Sequence, residues 1–181
     1  MRIRVLVPLA EGFEELEAVA VIDVLRRSGA EVVVAGLKEG PVKASRGVVM
    51  VADTTMAAVA GQTFDAVVLP GGAEGAKRLA ADPDVERALR AARDGGKVVA
   101  AICAAPVVVL HPHGFLQGKR ATCHPSLAAS LPGYADERVV LDGRTLTSQG
   151  PGTALEFALE LVRVLFGPER YEQVRGPMVI G

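Results

Sequence analysis

Cysteine is scarce in this chain. Cys103 and Cys123 are the only two in 181 residues, which excludes a disulfide framework and suits a reducing compartment. Neither sign of charge is in excess. Lys and Arg number 20 against 21 Asp and Glu, a net charge of −1, so no global field draws the chain to nucleic acid or anionic lipid. Long apolar runs are missing too. The longest, Val98–Leu110, is 13 residues with Pro106 inside it, whereas a membrane span takes about 20. Gly and Pro, at 20 and 11, are too few for a low-complexity chain. The amino-terminal MRIRVLVPLA begins like a secretory leader, but its apolar stretch is short and Glu11, Glu14, Glu15 and Glu17 follow at once. It reads as a first strand of a cytoplasmic, soluble protein with no membrane partner and no specific nucleic-acid partner. The length suggests one domain over residues 1–181.

What is present is an alternation of compact apolar runs with helical patterns. Arg2–Leu9, Glu31–Leu37, Ala66–Leu69 and Lys97–Ile102 read as buried strands. Phe13–Ser28 reads as a helix stopped by Gly29, and a second helix begins after Asp82 with Pro83 in its first turn. A helix is expected from about Ala104 to Pro112–Gly114, and another over Thr153–Phe166, ended by Gly167-Pro168. Arg120–Cys123 reads as short and extended. Val42–Ala44 with Val48–Ala52, and Val139–Leu141 with Thr145–Thr147 around Asp142-Gly143-Arg144, look like hairpins. The pattern predicts an α/β, flavodoxin-like three-layer sandwich with a mostly parallel sheet. Ligands in such sheets bind beyond the carboxyl ends of the strands.

The unusual chemistry falls in those loops. Cys103 closes a strand and precedes Ala104-Ala105-Pro106, the position of a nucleophile on a sharp strand-to-helix turn. Backbone N–H groups at a helix start would hold its thiol below the free value of about 8.5. The competing reading is a buried structural cysteine. On a helical wheel, Glu15 falls beside Asp23, Arg26 and Arg27, whereas Glu14 and Glu17 fall on the apolar face with Val21, Val24 and Leu25. Either Glu17 works as an acid–base group or it only complements the helix dipole. A proton shared with Cys103 would place a protonated Glu17 against a thiolate. His124 is a loop cap or a partner of the same site, and His111 and His113 read as surface residues. Pro70-Gly71-Gly72 lets backbone N–H groups approach a reacting oxygen. No metal-ligand spacing appears.

Together these segments resemble a known family. Gly12–Glu17, Leu69–Gly72, Ala100–Ala104, His124-Pro125 and Thr147–Thr153 are similar, in order, to the motifs of the ThiJ/PfpI superfamily, and within it to the DJ-one branch. The resemblance implies a homodimer with an oxidation-prone cysteine. It gives Cys103 the nucleophile position, Glu17 the partner carboxylate and His124 the nearby histidine. Gly72 and Ala104 take the oxyanion-hole positions, and Arg46 of the Ser45-Arg46 pair helps to hold an anion. It also implies cofactor-free, cysteine-dependent glyoxalase or deglycase activity. The partner would be a methylglyoxal-type 2-oxoaldehyde, or an early glycation adduct on a protein or nucleotide. The alternative is a redox-sensing stress protein or chaperone. Two positions depart from the pattern. Ala105 stands where relatives often have Gly, and Ala104 stands where the protease-like branch has a histidine, which argues against peptidase activity. Cys123, next to His124, reads as a strand-end filler rather than a resolving thiol.

Overall fold

The computed structural model describes residues 2–180. Its main sheet is built from β1 (Arg4–Leu9), β2 (Glu31–Gly36), β5 (Thr54–Thr55), β6 (Ala66–Leu69), β7 (Val98–Ile102), β8 (Val139–Asp142) and β9 (Thr145–Ser148). The order is β5-β2-β1-β6-β7-β9-β8, parallel throughout except for the β8–β9 hairpin at one edge. Between β2 and β5, β3 (Pro41–Lys43) and β4 (Val49–Val51) form a separate antiparallel ribbon. This is the flavodoxin-like arrangement the apolar strands predict.

The helices are α1 (Glu15–Arg27), α2 (Ala73–Ala80), α3 (Pro83–Asp94), α4 (Ala154–Phe166) and α5 (Pro168–Arg175). Strand residues alternate strictly between the two helical layers. Val98, Ala100 and Ile102 of β7 pack with Val24 and Leu25 of α1 and Phe157 of α4, while Val99 and Ala101 pack with Leu79 of α2 and Leu89 of α3. A two-residue period buried on both faces explains why these strands read as unbroken apolar runs. Among the described residues no helix is long and apolar enough to cross a membrane.

Three stretches differ from the sequence pattern. Beyond Cys103 the chain forms a π-helical segment, Pro106–Leu110, not an α-helix, with the His111 N–H donating to the Pro106 carbonyl at 2.9 Å. Pro106 has no N–H to give and Val107–Val109 are β-branched, so regular α geometry is weakened there. Arg120–Cys123 contributes only a bridge between Ala121 and Tyr134. The polar helix α5 buries only Val174, so it shows no apolar periodicity.

The chain turns outward in opposite directions from β1 and β6, which opens a crevice at their carboxyl ends. Two loops interlock there. The Glu14 N–H donates to the Gly71 carbonyl at 3.0 Å and the Gly75 N–H to the Gly12 carbonyl at 3.3 Å. Gly72 adopts φ +89°, and a Cβ on it would stand 2.3 Å from the Gly12 carbonyl oxygen, so only glycine fits. Phe13, with no exposed surface, pins the first loop from below, and its carbonyl accepts from the Ser45 N–H at 2.8 Å. Phe13→Ala is therefore expected to cost about 3–5 kcal/mol, read as a lower urea midpoint with an unchanged slope. A loss under about 1 kcal/mol would mean this loop is not anchored by the ring.

Candidate active site

Cys103 leaves β7 with φ +66°, one of two non-glycine residues at positive φ among those described. That geometry costs an L-residue about 1–2 kcal/mol. Its backbone is tied on both sides: the Cys103 N–H donates to the Ser148 carbonyl at 3.0 Å, and its carbonyl accepts from the His124 N–H at 2.9 Å. The half-buried thiol is thereby turned away from the strand toward the crevice. Ala104 and Ala105 follow as buried residues, and Ala105 sits at φ −63°, ψ −35°, ordinary helical geometry. The departure from glycine at this position causes no backbone distortion.

Glu17, in the first turn of α1, has no exposed surface. One oxygen, Oε2, accepts the Gly71 N–H at 2.7 Å, and the other, Oε1, has no N–H or O–H donor among the described residues. Gly71 separates the carboxyl from the cysteine. A Cβ there would lie 2.5 Å from both the Cys103 Cβ and Glu17 Oε2, so glycine is required for the two groups to meet. The backbone N–H groups of Gly72 and Ala104 are directed at the Cys103 sulfur.

Burial is the largest influence on both groups. It raises the Glu17 carboxyl to about 7, aided by the charge of Glu14 and opposed by the Gly71 N–H and the Cys103 thiol. Burial and the Glu17 charge together push the Cys103 thiol up to about 12, against the pull of Gly72 and Ala104. The sequence suggests the opposite direction for this thiol. The helix-end N–H groups are in place, but desolvation and a neighbouring anion outweigh them. The resting proton belongs on sulfur, donated toward Glu17, which stands ready as a base near neutrality.

His124 joins Cys103 on the wall of a cleft of about 860 Å³, with Gly72, Arg46, Ser45 and Leu16. Its Nδ1 accepts from the Ser126 N–H at 3.3 Å and lies 2.7 Å from the Ser126 hydroxyl. A neutral ring therefore carries its proton on Nε2. All six residues expected at the site thus converge on one cleft or on its sulfur. Cys123 has no exposed surface, packs under the sheet, and burial pushes its thiol up to about 11. His111 and His113 lie elsewhere, and His113 bonds the Ala80 carbonyl at 3.0 Å. No three His, Cys, Asp or Glu side chains among the described residues are grouped to hold a metal ion.

One residue was misplaced by the helical wheel. Glu15 is not on the open polar side: it is buried, and its carboxylate accepts the Ser45 hydroxyl at 3.0 Å and the Arg46 N–H at 2.9 and 3.2 Å. The partners come from a hairpin far along the chain, which a wheel cannot register.

A cysteine on a left-handed turn at the end of a central strand, with a buried carboxyl beside it, defines a cysteine-centred site on a flavodoxin-like sheet. The chain belongs to the DJ-1/PfpI family, whose profile matches residues 3–164. It is 46% identical over 180 residues to protein dj-1beta of Drosophila melanogaster, covering 97% of this chain and 96% of that one. It is 38% identical over 174 residues to a Caenorhabditis elegans protein named glutathione-independent glyoxalase DJR-1.2, covering 94% and 92%. The solved structure of oxidized Toxoplasma gondii DJ-1 superposes with a TM-score of 0.97 at 41% identity, covering 99% of each chain. The chain spans less than half the length of the two Arabidopsis thaliana DJ-1 homologues that it also matches.

The Glu17 carboxyl gives a signed prediction. Its raised folded-state value means that the native protein binds this proton more tightly than the unfolded chain. Its contribution to stability is complete below the unfolded value of 4.5 and lost as pH rises through about 7. Glu17→Gln should remove up to about 3 kcal/mol of that pH dependence between about pH 4 and pH 8. The same change removes a neighbouring anion and should lower the alkylation midpoint of Cys103. Identical pH–stability curves for the two proteins would refute the assignment.

Proposed function

We propose that this chain is a cofactor-independent glyoxalase that uses Cys103 as its nucleophile on methylglyoxal-type 2-oxoaldehydes. The observation that carries the reading is the unexposed Glu17 carboxyl beside Cys103, with the Gly72 and Ala104 N–H groups aimed at the sulfur. The name of the Caenorhabditis elegans relative supports the same chemistry.

In this reading Glu17 takes the thiol proton as sulfur adds to the aldehyde carbon, and the new oxygen rests on the Gly72 and Ala104 N–H groups before the proton returns to it. The product is a hemithioacetal. Glu17, again a carboxylate, removes the hydrogen on that carbon while the ketone oxygen gains a proton from the His124 Nε2, giving an enediol. Glu17 then returns its proton to the adjacent carbon while the hydroxyl on the first carbon gives its proton back to His124, which leaves a thioester. Water then releases a 2-hydroxy acid and restores the thiol. A cleft of about 860 Å³ exceeds what a three-carbon aldehyde fills, so the reading extends to deglycation of early adducts on proteins or nucleotides. The chain would pair as a homodimer, which is consistent with exposed Leu16 and Val19 on α1 and Val49 and Val51 on β4.

The test is turnover of methylglyoxal to the 2-hydroxy acid without glutathione. Cys103→Ser should abolish it, and Glu17→Gln should reduce it by about 10²–10⁴-fold. Wild-type protein without turnover would refute the reading.

A second reading is favoured by the relative solved in oxidized form. Cys103 would act as a redox sensor, its sulfinate oxygens held by the same N–H groups. Mild peroxide is expected to add two oxygens to Cys103 and none to buried Cys123, and Cys123→Ser should keep full turnover. A Cys103–Cys123 linked peptide as the major product would overturn the filler role of Cys123.

A further inference from the structure

The loop that leaves β9 carries two hydroxyls, Ser148 and Thr153, both buried and both off the cleft wall. Their oxygens stand 2.6 Å apart. The Ser148 hydroxyl also reaches the Arg138 carbonyl at 2.9 Å. The Thr153 hydroxyl reaches the Gly150 carbonyl at 2.9 Å and accepts the Gly150 N–H at 3.1 Å. Two hydroxyl protons therefore serve three acceptors. Each carbonyl also receives a backbone N–H, Arg138 from Gln149 at 3.2 Å and Gly150 from Thr153 at 2.9 Å. Whichever hydroxyl donates to the other, both carbonyls keep a donor and both oxygens keep a partner. A buried polar cluster with every member satisfied is rigid.

The same loop touches both Cys103 and His124. The Ser148 carbonyl accepts the Cys103 N–H at 3.0 Å and so holds one side of a turn at φ +66°. Gly150 backs the histidine ring, since a Cβ on it would lie 3.4 Å from His124 Cδ2. The His124 N–H donates to the Cys103 carbonyl, and Pro151 stands on the cleft wall with both residues. From outside, the Arg138 guanidinium bonds the Gly152 carbonyl at 2.9 Å and Glu156 at 2.7 Å, but both of these charged side chains are at least half exposed. An exposed ion pair holds such a loop weakly. The hydroxyl pair beneath it is shielded from water and is the firmer attachment.

We propose that Ser148 and Thr153 are positioning residues: their hydroxyl pair latches the loop after β9, so that the Ser148 carbonyl keeps Cys103 in its left-handed turn and Gly150 keeps the His124 ring in place beside it. Neither hydroxyl has to reach the ligand. The latch acts through the backbone, on the thiol from one side of the loop and on the imidazole from the other. Its consequence for turnover rests on the glyoxalase reading above. The latch itself does not.

The experiment reads backbone nitrogen NMR relaxation, with relaxation dispersion, at Cys103 and His124 in the intact protein. It requires no turnover. Thr153→Val matches the side chain in size but leaves the buried Gly150 N–H without its acceptor. Order parameters at Cys103 and His124 are expected to fall from about 0.85 toward about 0.6, or dispersion to appear there, with Val68 and Ala100 of the central strands unchanged. Thr153→Ser, which keeps the hydroxyl, should restore both sites. Val85→Ala, a core truncation in α3, lowers stability and should leave all four sites rigid, which separates the latch from a merely structural role. If Thr153→Val does not fold, Ser148→Ala reads the same two amides and should move them in the same direction. Wild-type relaxation at Cys103 and His124 in the folded variant, or an equal change at Val68 and Ala100, overturns the latch. With methylglyoxal, the same variant should lower kcat about 10–100-fold and leave KM within about twofold. An unchanged kcat alongside loosened Cys103 and His124 overturns the role in turnover. Loosening at both sites in a protein whose wild type turns over no methylglyoxal counts against the enzymatic reading alone.

Discussion

The Glu17 carboxyl has no exposed surface and, among the described residues, a single backbone donor, the Gly71 N–H, to offset its desolvation. Burying a carboxyl in this way is costly unless it holds a proton or meets a donor; the nearby Glu14 charge adds to that cost, and the Cys103 thiol is the side chain that offsets it. Each group therefore sets the other's protonation. Two full negative charges in that space are disfavoured, so the pair retains at least one proton through neutral pH. The glycine between them, where a Cβ would meet both groups at 2.5 Å, makes the contact possible.

The rest of the fold positions this pair. The parallel strands supply a rigid frame on which Cys103 can hold φ +66°, because Ser148 and His124 secure the backbone on either side. The topological reversal between β1 and β6 brings the first turn of α1 against the loop that carries Gly71 and Gly72. Local strain at the cysteine and desolvation at the glutamate are both unfavourable, and the two buried helical layers offset them. These are the features by which a folded protein gives a thiol and a carboxyl properties that neither has in water.

Much of this was legible in the sequence because it rests on local signals. Apolar runs located β1, β6 and β7. The position of Cys103 at a strand end and of Glu17 on the apolar face of α1 followed from periodicity. What was not legible depends on contacts between distant segments. Glu15 looked solvated because its partners, Ser45 and Arg46, come from a hairpin 30 and 31 residues away. The direction of the thiol shift was misjudged because helix-end N–H groups can be inferred from sequence, whereas the extent of desolvation around Cys103 cannot. The segment Pro106–Leu110 is helical where the pattern predicts a helix, but its π form is not legible in the pattern, because a missing N–H at Pro106 and β-branched Val107–Val109 weaken regular α geometry without specifying what replaces it. Helix α5, with only Val174 buried, carried no periodic signal.

The chain belongs to the DJ-1/PfpI family and is similar to a relative named a glyoxalase, but the account turns on one proton. The most direct measurement is the titration of the Glu17 carboxyl itself, followed by carbon NMR with isotope-labelled glutamate and assigned by its absence in Glu17→Gln. A midpoint near 7 that moves when Cys103 is replaced by Ser is the result required by the buried, coupled pair. A midpoint near the ordinary carboxyl value of 4.5, unchanged in the Cys103 variant, would contradict it.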